Sequence, residues 1–379
     1  MENELSSILC VVDMNITGAM DQCLEDLAIP EVYVQHAKQM SLVDHQGFLG
    51  LRPGTRLEER RAVIYRFYVP AVYEEGIMRR IAEATDLKMG GRGCILAQHI
   101  DLRRGTPLSF DIETLDKLCG KTDKLQYEEH ALVSCVVPRG SGDALARAIL
   151  ELGICVPVIF FGTGMGIRDK LGLLRITIPV EKEILWFVVP RSDAELVDKT
   201  LIPRARLDVP GQGFLYKCFV HAPVVNLQIR KGKRFHAATM EQVITALDEV
   251  HGSSDWRRFG SPRHRSGYEN KAVHARGLFF IGEEDDVETF RRTAMENGAH
   301  GATHNHLEMR SFSNSEQEKV MESHFRELCD IIVSHELEER LLNALTQANF
   351  FDERKSCILK IFNVEMPPAI YHPKKEKTE

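Results

Sequence analysis

The chain predicts an α+β fold made of three ferredoxin-like βαββαβ units in tandem, packed together as an intramolecular pseudo-trimer. Three observations carry that expectation. First, SILCVVDMNITGAMDQCLEDLAI from Ser7, ALVSCVVPRGSGDALARAILELGI from Ala131 and ARGLFFIGEEDDVETFRRTAMENGA from Ala275 share one grammar. Each is a short apolar strand, a polar or glycine turn, then an amphipathic helix. Second, each segment closes alike. AVIYRFYV, ILWFVV and CDIIVS precede a second helix, and GCIL at Gly93, GFLY at Gly213 and SCIL at Ser356 supply a last strand. Third, 379 residues exceed the roughly 250–300 at which a single core stops growing.

The helices follow from their period. Met20, Cys23, Leu24 and Leu27 stand at i, i+3, i+4 and i+7, and Leu145, Ala148, Ile149 and Leu152 repeat the spacing. Val287, Phe290 and Ala294 follow it more loosely, and Leu337, Leu341, Ala344 and Leu345 form a second-helix face. Gly153 and Gly298 stand where a left-handed residue ends a helix. The units run over 1–115, 129–250 and 271–366, with linkers at 116–128 and 251–270 and a disordered tail at 367–379. The second linker, GSSDWRRFGSPRHRSGYENK with its flanks, is rich in Gly, Ser, Pro and Arg.

Composition narrows the function classes. With 48 Lys+Arg against 55 Asp+Glu the formal charge is −7, which disfavours sequence-independent nucleic-acid capture. No apolar run reaches the roughly 18–20 residues that span a bilayer, so the protein is expected not to be membrane-embedded. MENELSSILCVVD has no basic n-region. Nine cysteines lie mostly inside apolar runs without any CxxC, as expected of buried thiols in the cytoplasm.

Glycines mark the candidate binding chemistry. Gly162, Gly164 and Gly166 alternate after a strand at Val156 to Phe161, and Gly211-Gln212-Gly213 recurs before the closing strand. Such glycines expose successive backbone N–H groups that cradle an anion such as phosphate, with Lys182 and Arg230 as counter-charges. Gly91-Arg92-Gly93 with Arg103 forms a second candidate. Two nucleotide motifs fail: Ile167 stands where a dinucleotide fingerprint needs its last glycine, and Leu115 where a phosphate loop ending in Gly120-Lys121-Thr122 needs its first. No nucleophile–base–acid set can be composed; Ser141 lies in GSGD and reads as a helix cap, with Asp143 in the first turn. The chain is therefore expected not to be an enzyme.

These motifs resemble the PII nitrogen-signalling proteins, small trimers that bind ATP or ADP between subunits. The match is best in the middle unit. Gly162, Gly164 and Gly166 correspond to the base of the family's T-loop, Pro179 and Lys182 to its return, Gly211-Gln212-Gly213 to the phosphate-contacting B-loop, and Arg230 to the basic stretch after the last strand. The first unit keeps Gly91-Arg92-Gly93 and Arg103; the third has Asp352 to Ser356 in place of the B-loop. The family's B-loop lysine is replaced by Phe214 and Cys94, which leaves ATP, ADP, AMP or another small anion open. The resemblance implies a regulatory sensor in a nitrogen-regulation role. It would signal to a regulated enzyme or transporter through the loop Ile167 to Ile178, with the chain a pseudo-trimeric monomer or further oligomerised.

The third unit offers a different chemistry. In GAHGATHNHLEM, a strand over Thr303 to Met309 puts His304, His306 and Glu308 on one face. Imidazole with carboxylate suits a divalent metal ion, and the alternative reading is a CutA-like metal-tolerance or storage protein. Glu283 to Asp286 precede a helix and suit its N-terminus.

Overall fold

Thirteen strands of this protein join one continuous sheet. The computed structural model describes residues 4–45, 54–122, 129–166, 180–209, 211–226, 228–231, 248, 272–312, 325–352 and 355–368. In chain order these form β1 (Leu5–Asp13), α1 (Thr17–Asp26), β2 (Val32–His45), β3 (Gly54–Pro70), α2 (Glu74–Ala84), β4 (Gly93–Arg104) and α3 (Ile112–Leu118). Next come β5 (His130–Pro138), α4 (Gly142–Leu152), β6 (Val158–Gly166), β7 (Val180–Pro190), α5 (Ala194–Ala205), β8 (Phe214–Val224) and β9 (Arg230–Lys231). The last run is β10 (Val273–Gly282), α6 (Glu284–Glu296), β11 (Gly301–Arg310), β12 (Phe325–Val333), α7 (His335–Gln347) and β13 (Ile358–Met366). The expected linker at 251–270, the loop Ile167 to Ile178 and nearly all of the tail lie outside the described residues.

Strand pairing corrects the expected fold class. The architecture is a closed antiparallel β-barrel with 45% strand and few helices, not three ferredoxin-like βαββαβ units nor a pseudo-trimer of them. The order of strands and helices along the chain is local, whereas the unit of construction is the whole sheet. β2–β3–β1–β4 pair in sequence, as do β6–β7–β5–β8 and β11–β12–β10–β13. None of these runs ends in an edge. β2 pairs with β6 and β11, which also pair with each other, and β4 pairs with β8 and β13, which do likewise. Closure removes the unpaired N–H and C=O groups that an open edge would expose.

Closure also explains why the strands are apolar on both faces. Along β1, Ile8, Cys10 and Val12 pack under α1 and α2 with Met20, Leu24, Ile77 and Ile81. Val11 points the other way and meets Ile64, Leu96, Val136, Val158 and Trp186 in a core drawn from all three runs. Two further clusters lie under α4–α5 and α6–α7. Fully buried side chains contribute about 1.5–3 kcal/mol each, so this doubly buried sheet is the main source of stability. The helix faces fall largely as their spacing predicts, except that Leu152 is exposed. At α4, Ser141 gives no side-chain cap, and Glu183 Oε2 accepts from Gly142 N–H at 2.6 Å instead. Gly153 ends that helix at φ 70°. None of the nine cysteines is in a disulfide, and eight of them are buried. Among the described residues no helix is long and apolar enough to cross a membrane.

A polar cluster interrupts the inner core. Arg66 donates to Gln35 at 2.8 Å and lies over the Trp186 ring, 5.1 Å from its centroid. Tyr216 Oη donates to Asp330 Oδ2 at 2.8 Å, and Lys360 Nζ to Ser7 Oγ at 3.2 Å. Burial pushes the Asp330 carboxyl up to about 7, against the Tyr216 hydrogen bond and the charges of Lys360 and Arg66. Burial likewise lowers Lys360 to about 8 and Arg66 to about 10. Because Asp330 holds its proton more tightly when folded, its contribution to stability is full below the unfolded value of 3.8 and is lost as pH rises through about 7. Urea unfolding at pH 4, 5.5 and 7.5 should therefore show wild type losing stability relative to Asp330→Asn across that window. A pH-independent difference between the two would contradict the assignment.

Candidate functional site

Two glycine loops share one backbone. Gly91 and Gly211 both have φ +86°, while Gly93 and Gly213 have φ +146° and +143°. Arg92 N–H donates to Met89 C=O at 3.3 Å, and Gln212 N–H to Val209 C=O at 3.2 Å. The second glycine of each loop has a packing reason. A Cβ on Gly93 would lie 1.8 Å from the Val11 carbonyl oxygen, and one on Gly213 would lie 2.2 Å from that of Val136. Only glycine lets β4 and β8 start this close to β1 and β5, in a backbone region that other residues rarely adopt.

The first loop already holds oxygen acceptors. Gly91 N–H donates to Asn226 Oδ1 at 3.0 Å. Arg60 Nη1 donates to Gly91 C=O at 3.0 Å and to Gln228 Oε1 at 3.3 Å, and Arg60 Nη2 stands 3.6 Å from Asp13 Oδ2. Asn226 is buried and donates to Gln39 at 2.8 Å. A Cβ on Gly91 would meet Gln228 Oε1 at 2.0 Å. The residues that follow β8 thus fill the loop that begins β4. Arg60, Asn226 and Gln228 escape sequence reasoning because they lie 31, 135 and 137 positions from Gly91.

The other predicted residues fall into separate places. Arg92 turns back onto Thr85 C=O at 3.1 Å and Asp86 at 3.4 Å. Arg103, expected beside Gly91, lies ten residues along β4, roughly 30 Å away at the usual strand rise, and pairs with Asp101 at 3.2 Å. Arg230, expected with Gly211 to Gly213, pairs through its backbone with Leu42 of β2. It therefore follows the segment that fills the first loop. Gly162 and Gly164 belong to β6 rather than to a loop, opposite Lys182 and Val180. A Cβ on Gly164 would strike the Lys182 stem at 2.8 Å, and one on Gly162 would strike Asn305 Oδ1 at 2.5 Å and the His304 carbonyl at 2.7 Å. These two glycines thus let Lys182 and β11 approach.

His304 and His306 lie on one face of β11, as the alternation predicts. Glu308 is held by Arg310 at 2.8 Å, and the carboxylate that meets the histidines is Glu327, directly across the ladder from His306. His304 Nε2 stands 2.6 Å from Glu327 Oε2, and His306 Nδ1 3.4 Å from Oε1. The one sequence signal for Glu327 is a charged residue opening the ELCDIIV run, which carries one other charge, Asp330.

No family model matches the chain, and no curated protein matches it. Among solved structures it is similar to the B. subtilis GlnK–ATP complex, at 13% identity and a TM-score of 0.23, over 27% of this chain and 89% of that one. So weak and partial a likeness to a PII protein carries no argument about fold or ligand.

The glycine geometry makes a direct prediction. Gly93→Ala should destabilise the protein by about 1–3 kcal/mol, the usual cost of a residue forced into a sparsely populated backbone region. Gly18→Ala in α1, where an added Cβ meets nothing within 4 Å, should leave stability unchanged or raise it by up to about 1 kcal/mol. Chemical denaturation of the pair checks the contrast.

Proposed function

We propose that this chain is a regulatory binding protein, not an enzyme, that receives a small oxyanion on its glycine loops. The observation that carries the reading is the acceptor already seated at the first loop: Asn226 Oδ1 on the Gly91 amide, with the Arg60 guanidinium beside it. A backbone N–H next to a fixed cation is an arrangement that favours phosphate oxygens. The residue resemblance to PII proteins supplies the ligand class, the phosphates of ATP, ADP or AMP. Gly211-Gln212-Gly213, with the same backbone, is the second position for such a ligand. A regulated enzyme or transporter is the receiver this reading calls for.

Asn226 and Gln228 act in this reading as an internal stand-in that a ligand displaces. Calorimetric titration with ATP, ADP, AMP and inorganic phosphate tests it. Arg60→Ala should weaken binding at least tenfold, since a hydrogen bond to a charged group is worth about 1.5–3 kcal/mol. Gln228→Ala should tighten binding by removing the competitor. Absence of heat and of any thermal shift with all four ligands would sink the reading.

A further inference from the structure

The geometry points to a divalent metal site on the outer face of β11 and β12, formed by His304 Nε2, His306 Nδ1 and Glu327, with Thr163 of β6 positioning His304. Zn²⁺ is the fitting ion. The three donor atoms lie within 4.8 Å of one another, and two imidazoles with one carboxylate are a common zinc donor set. Tetrahedral zinc at about 2.0–2.2 Å from each donor holds donors roughly 3.4 Å apart. Of the separations to Glu327, 3.4 Å from His306 meets that value and 2.6 Å from His304 falls short of it, so opening the His304–Glu327 pair by side-chain rotation would seat an ion.

Two further observations point to a cation between these groups. His304 Nε2 is buried and has no hydrogen-bond partner, because the Glu327 oxygen at 2.6 Å lies off the direction an N–H bond would need. The ring's other nitrogen, Nδ1, is engaged by Thr163 Oγ1 at 3.2 Å. With Nδ1–H donating to Thr163, Nε2 carries a lone pair beside the Glu327 carboxylate but not directed at its oxygen, which leaves that lone pair for a cation seated between the two groups. Holding one imidazole nitrogen so that the other is presented is how outer-shell groups orient metal ligands.

Exposure sets the character of the site. Glu327 and His304 are 12% and 25% exposed in their side chains, whereas His306 is 79% exposed. Three protein donors with one side open leave a fourth position for water or an exchangeable ligand. Adding zinc would join β11 and β12 directly and β6 through Thr163, at the place where Gly162 lets the two strands approach.

Equilibrium dialysis of the metal-stripped full chain, made without a histidine tag, against buffered Zn²⁺ tests the site. The expected result is one zinc per chain and a raised melting temperature. His306→Ala, at an exposed position that leaves the fold intact, and Glu327→Gln should each weaken zinc binding at least tenfold. Thr163→Val should weaken it 10–100-fold through misorientation of His304. Co²⁺ in place of zinc should give the visible bands of a tetrahedral centre, lost in His304→Ala. The proposal is overturned if wild type retains no zinc, or if His306→Ala and Glu327→Gln bind it as wild type does.

Discussion

Closure of the sheet at β2 and β4 is the constraint from which the rest of the structure follows. Each of these strands meets two others from distant parts of the chain, so no run of four strands has a free edge. Once the ladder closes, one face of every run must look inward, and that inner face is mostly apolar where an exposed sheet face would be polar. The apolar runs ILCVV, VSCVV and ILWFVV are read correctly as strands, but their lack of alternation is a tertiary fact. Both faces are buried, one under helices and one inside the barrel.

An inward face drawn from three runs of chain brings together side chains that never meet in sequence. Arg66, Tyr216, Asp330 and Lys360 come from β3, β8, β12 and β13, and they carry charge and hydrogen bonding into the core. Such buried polar groups rarely add net stability over apolar ones of the same shape; removing one partner is what costs. Each also depends on registry: Tyr216 reaches Asp330, and Lys360 reaches Ser7, only when the runs are correctly seated. The same logic applies at the surface. The loop Gly91 to Gly93 is completed by Asn226 and Gln228, and the histidines of β11 by Glu327 and Thr163.

Helix faces, the ends of α4 at Gly153 and of α6 near Gly298, and the paired glycine loops were legible because each depends on residues a few positions apart. Both loops have the conformation that a Gly-x-Gly sequence allows, and the matching φ values at Gly91 and Gly211 follow from matching local chemistry. What residue order does not carry is lateral. Gly162 and Gly164 have the spacing of a loop base, and nothing in the chain order shows that β11 passes beside them. Arg103 and Arg230 stand near their glycines in sequence, whereas the sheet carries each toward a different run.

Residue order alone dictates the succession of strands and helices, the face each helix buries and the positions where the backbone must turn left-handed. These follow from side-chain period and the absence of a Cβ, which act over three or four residues. Lateral packing is what closes the strands into one antiparallel barrel, buries Asp330 in its core, and sets Glu327 rather than Glu308 against the histidine pair. Hydrogen bonding between strands is blind to side-chain identity, so lateral partners are chosen by the joint burial of the whole sheet.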